Sequence, residues 1–124
     1  DEQYTPSSYQ NETVSPVLTS DEDRLLKYIK NSVDSFKNPS SVRVVEVYAY
    51  DEEHDMFYVE ISAENSLGGT TKELYQVEED GIYKSVTSVD TIKKIPLSFG
   101  NACSCDVATL NALLKEYYDD MGWN

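Results

Sequence analysis

VRVVEVYAY (42–50), MFYVEISAE (56–64), TTKELYQVEE (70–79) and IYKSVTSV (82–89) decide the fold. Each stretch is rich in β-branched and aromatic residues and is bounded by turn-forming ones. Asp51 to Asp55 separate the first two, and Asn65-Ser66-Leu67-Gly68-Gly69 the next two. Asp80-Gly81 marks a tight hairpin before the last. Connections this short join antiparallel neighbours, which predicts a four-stranded meander. In 56–64, Phe57, Val59, Ile61 and Ala63 alternate with Tyr58, Glu60, Ser62 and Glu64, the period of a half-buried strand.

Helical patterns flank the strands. Leu25, Leu26, Ile29, Val33 and Phe36 recur at helical spacing and predict a helix over 21–37. Ser20 with Asp23 reads as a shortened capping box. Asp21, Glu22 and Asp23 suit the positive end of the helix dipole, and Asn38-Pro39 stops the helix. Downstream, Asp106 reads as an N-cap, and Val107, Leu110, Leu113, Leu114 and Tyr117 form a stripe running to about Met121. Gly122 follows as a stop. Residues 90–105 carry no readable period. The order predicts one α+β domain over 20–124, with both helices on one sheet face, a layout of the cystatin-like or NTF2-like kind. Residues 1–19, polar and carrying Pro6 and Pro16, read as a flexible tether. Within them Asn11-Glu12-Thr13 has the form of a glycosylation acceptor, meaningful only in a eukaryotic host.

The 124 residues carry a net charge of −13, from 23 acidic and 10 basic side chains. That balance argues against binding nucleic acid or an anionic membrane surface, both of which need clustered Lys and Arg. It suits a basic partner, loose cation binding, or plain solubility. No apolar run approaches the roughly 20 residues of a membrane span. The sequence begins at Asp1 rather than Met. With the polar lead-in, this suggests an exported chain with a leader or lipid anchor upstream of Asp1.

Few residues offer chemistry. His54 is the only histidine, in Asp51-Glu52-Glu53-His54-Asp55. It could help those carboxylates hold a metal ion, but the plainer reading is an acidic hairpin tip, without the spaced ligands and glycine of a calcium loop. One histidine leaves no triad and no three-histidine centre, and nothing in the placement of the acids singles out a glycosidase pair. Asn65 to Gly69 lacks the following Lys-Ser/Thr and helix of a phosphate loop. Cys103-Ser104-Cys105 stays open between two thiols, a strained local disulfide, and a redox or metal pair before a helix N-terminus. Neither catalytic residues nor cofactors are expected.

The chain has ten tyrosines. If Val45, Val47 and Ala49 face the core with Phe57, Val59 and Ile61, then Tyr48, Tyr50 and Tyr58 share the opposite face; Tyr75 is the fourth candidate contact residue. That would make a contact patch for a protein, peptide or glycan, or simply cross-strand packing that stiffens an exposed sheet. On that register, Tyr50→Ser or Tyr58→Ser costs about 1 kcal/mol or less. Val59→Ala or Ile61→Ala costs about 2–4 kcal/mol.

Helix 21–37, the break Asn38-Pro39-Ser40-Ser41-Val42, YVEISAENSLGG (58–69) and LKEYYDDMGWN (114–124) together resemble a family. It comprises small uncharacterised domains of exported proteins and lipoproteins from Gram-positive bacteria, the Firmicutes. In those, Asn-Pro-x-Ser precedes a strand and Ala-x-Asn-Ser-x-Gly-Gly joins two strands. The resemblance implies export and a cell-envelope setting. It implies no catalytic residue and does not include the Cys-x-Cys pair. The expected function is thus a non-enzymatic, exported or surface-tethered binding domain. The alternatives are an acidic cytoplasmic inhibitor or immunity-type protein against a basic partner, and a small enzyme or redox protein using Cys103 and Cys105.

Overall fold

The computed structural model describes residues 18–94 and 105–123. Three α-helices, α1 (Ser20–Ser32), α2 (Val89–Lys93) and α3 (Val107–Met121), surround four strands. These are β1 (Arg43–Asp51), β2 (Met56–Glu64), β3 (Thr70–Glu78) and β4 (Gly81–Lys84). They pair antiparallel in the order β1-β2-β3-β4, the expected meander. Of the expected tether, residues 1–17 lie outside the described residues. Leu18 already packs on the core, and Thr19 caps α1.

The capping box sits one residue earlier than the Ser20/Asp23 expectation. Thr19 Oγ1 accepts the Glu22 N–H at 3.1 Å, and Glu22 Oε1 accepts the Thr19 N–H at 2.9 Å. Two overlapping frames fit the sequence, and the full box forms on the one that offers the longer glutamate. The α-helical part of α1 stops at Ser32, short of the expected 37. A 3₁₀ turn over Val33–Ser35 follows, where the Ser35 hydroxyl donates to the Ser32 carbonyl at 2.7 Å. Val33 still completes the buried stripe with Leu25, Leu26 and Ile29. A second 3₁₀ turn, Pro39–Ser41, then leads into β1. β4 ends at Lys84 rather than Val89, because Ser85 and Thr87 bond each other and Ser88 caps α2.

β1 departs most from the simple strand reading. Its register against β2 shifts between Val44 and Glu46 and again between Val47 and Ala49. Two bulges therefore turn a period of two into a period of three. Val44, Val47 and Tyr50 oppose Ile61, Val59 and Phe57 on the helix-covered face, and Ala49 opposes Tyr58 on the other. The expected core set of Val45, Val47 and Ala49 is thus corrected to Val44, Val47 and Tyr50.

α1 and α3 pack on the face carrying Phe57, Val59, Ile61, Ala63 and Val77, as expected for helices gathered on one side. The unread segment adds a helix on the other side. Ile92 of α2 is 1% exposed and packs with Ala49, Met56 and Tyr58 in a second small cluster. α3 runs from Asp106 to a left-handed Gly122 (φ 74°), where the Trp123 N–H reaches the Tyr118 carbonyl at 3.0 Å. Its fully buried residues are Leu110, Leu114 and Tyr118, with Val107, Leu113 and Tyr117 at the margin.

Candidate functional site at the acidic end of the sheet

The β2–β3 register, Phe57↔Val77 and Tyr58↔Gln76, sets the β1–β2 turn and the β3–β4 hairpin side by side at one end of the sheet. The first turn carries Asp51, Glu52, Glu53, His54 and Asp55, and the second Glu78, Glu79 and Asp80. His54, Asp55, Glu78, Glu79 and Asp80 line a shallow cleft between them. Arg24 reaches this cluster from α1, 3.8 Å from Asp55.

Two carboxylates organise the turn from within. Asp51 is 4% exposed and accepts the Glu53 N–H at 3.1 Å and the His54 N–H at 3.3 Å. Its second oxygen lies 2.7 Å from His54 Nδ1. That hydrogen bond, and then the charge of Asp51, raise the pKa of His54 above its ordinary value. The imidazolium is stabilised relative to that of a free histidine, although the ring stands in solvent. Asp55 takes a left-handed backbone (φ 51°) and accepts hydroxyls from Tyr28 at 2.5 Å and Tyr50 at 2.7 Å. Burial pushes its carboxyl up, but the Tyr28 and Tyr50 hydroxyls and Arg24 outweigh this and hold it below the usual range. Burial first, then Asp55, pushes both phenols up to about 12. The Asp55 clamp therefore ties the turn to α1 through Tyr28 and to β1 through Tyr50.

Asp51, Glu53 and His54 each place a ligand atom within 4.8 Å of the others, so this corner could accept a divalent ion. Both Asp51 oxygens are already satisfied from within the turn, which accounts for the arrangement without an ion. An aspartate orienting an imidazole is also the supporting half of a hydrolase triad, but the turn itself supplies only carboxylates beside it.

The four tyrosines of the expected contact patch do not come together. Tyr50 lies on the helix side, its ring 4.5 Å from Phe57 and beneath the Arg24 guanidinium. Tyr75 lies on the same side, edge-on to Phe36. Tyr58 is on the opposite face but only 6% exposed, under α2. Tyr48 also packs at that cluster, half-buried, with its hydroxyl 3.3 Å from Glu60 and Lys93 over its ring. The expected small cost of Tyr58→Ser is corrected accordingly. Chemical denaturation should show Tyr58→Ser losing about 2–3 kcal/mol through the cavity it leaves. Tyr48→Ser should lose about 1 kcal/mol or less. Of the cysteine pair, Cys105 is half-buried against the core ahead of α3, and Cys103 lies outside the described residues.

No protein-family model matches this chain, and neither a curated protein nor a solved structure is similar to it. Among the described residues no helix is long and apolar enough to cross a membrane.

Proposed function

We propose that this chain is a non-catalytic binding domain that uses the acidic end of its sheet to engage a cationic surface on a protein or peptide. The observation behind this reading is the convergence of two acidic turns on one cleft, whose charge Arg24 beside Asp55 offsets only in part. Concentrated negative potential of this kind accelerates encounter with basic partners and selects against acidic ones. The Asp55 clamp and the buried Asp51 hold the turn in shape before a partner arrives, which lowers the ordering cost of binding. The polar N-terminal stretch and the resemblance to exported Gram-positive domains support work outside the cytoplasm. An inhibitor of a basic protein would use the same surface.

The test is calorimetric titration with a Lys-rich peptide at low and moderate salt. Glu53→Lys combined with Glu79→Lys reverses one exposed charge on each of the two turns and should weaken binding about tenfold or more. Asp34→Lys with Glu116→Lys changes net charge equally elsewhere and should weaken it far less. Equal weakening by both pairs would mean that only net charge matters, and the localised site would be abandoned.

A further inference from the structure

Among the described residues β1 is a nine-residue strand at the edge of the sheet, and such a strand is a template for pairing with another chain. Its outward groups at Val44 are occupied by a side chain. The Val44 N–H donates to Asn111 Oδ1 at 2.8 Å, and Asn111 Nδ2 donates to the Val44 carbonyl at 2.8 Å. The carboxamide therefore presents one acceptor and one donor in the pattern that a neighbouring strand residue would present. Two residues earlier, the Val42 carbonyl accepts the Tyr118 hydroxyl at 3.0 Å. Side chains of α3 thus take the place of a neighbouring strand along the start of β1.

We propose that Asn111 is an edge latch: while its amide holds Val44, β1 is closed to strand addition, and releasing it opens the edge to antiparallel pairing with β1 of a second copy of this chain. A second copy is the fitting occupant because the strand is polarised in charge. Arg43 begins β1, whereas Asp51, Glu52 and Glu53 end it and follow it. Antiparallel self-pairing brings the basic start of each copy beside the acidic turn of the other, and one two-fold axis satisfies both edges.

The experiment measures molar mass by light scattering after size-exclusion chromatography, over a concentration series. The wild-type chain should remain monomeric. Asn111→Ala should self-associate about tenfold more tightly or better, the equivalent of one net hydrogen bond. Adding Val44→Pro removes the outward N–H, which β2 does not use, and should return the protein to monomer. If the alanine variant does not fold, Asn111→Asp serves instead. It keeps the acceptor but sets an oxygen against the Val44 carbonyl, and it should likewise dimerise. Folded Asn111 variants that stay monomeric throughout would overturn the latch. So would a wild-type chain that pairs as tightly as they do.

Discussion

Tyr118→Ala is expected to lose about 3–5 kcal/mol in chemical denaturation, a large share of what a domain of this size has. Tyr118 is the largest of the fully buried side chains, at 0% exposure in the core between α3 and the sheet. Trp123 stacks on it with ring centroids 6.0 Å apart, and the Arg43 guanidinium lies over its ring, 5.5 Å from the centroid. Truncation leaves a cavity, unseats the tryptophan and strips the Val42 carbonyl of its hydroxyl donor. Tyr118→Phe separates these effects. It keeps the packing and removes only the hydroxyl, at about 1–2 kcal/mol. Because the chain has one tryptophan, its emission reports the same event directly. An alanine variant with unchanged stability and emission would mean that α3 does not dock as described.

Glu22→Gln should also be strongly damaging, at about 2–3 kcal/mol, because one buried carboxylate serves two helix N-termini. Glu22 Oε1 closes the capping box of α1, and Glu22 Oε2 accepts the Asp106 N–H at 2.6 Å, at the start of α3. The Thr19 N–H first, and the Asp106 N–H next, hold its carboxyl below the ordinary 4.5, against the opposing pull of burial. The folded-state pKa is therefore depressed, so this stabilisation is fully present above the unfolded-state value and is lost as pH falls through the folded one. Denaturation midpoints should fall on acidification below about pH 4.5 in the wild type. The Glu22 contribution to that fall should be missing in Glu22→Gln. Parallel acid limbs in the two proteins would remove Glu22 from the account.

These particulars show where the sequence was legible. β2 pairs with β3 without a break in register, so the alternation of Phe57, Val59, Ile61 and Ala63 carried over unchanged. β1 did not, because Val, Tyr and Ala occupy both of its faces and nothing in VRVVEVYAY marks a bulge. One extra residue at each of two points moved Tyr50 to the helix side and left Ala49 with Tyr58. The α3 stripe was read through Tyr117, whereas Leu110, Leu114 and Tyr118, spaced four apart, are its innermost row. Adjacent tyrosines gave no basis for choosing between them. α2 was missed because five residues are too few to show a helical period. The acidic site was within reach of the sequence. Both turns are marked in the sequence, and the matched lengths of β2 and β3 set them at one end of the sheet.

The central claim, that this end is the contact surface, is tested most directly by titrating the ¹⁵N-labelled protein with a Lys-rich peptide and following the amide resonances. Saturable shifts concentrated at residues 51–55 and 78–81, diminishing as salt is raised, are expected. Shifts centred on α3 or around Tyr48 and Tyr83, or none at low salt, would contradict it.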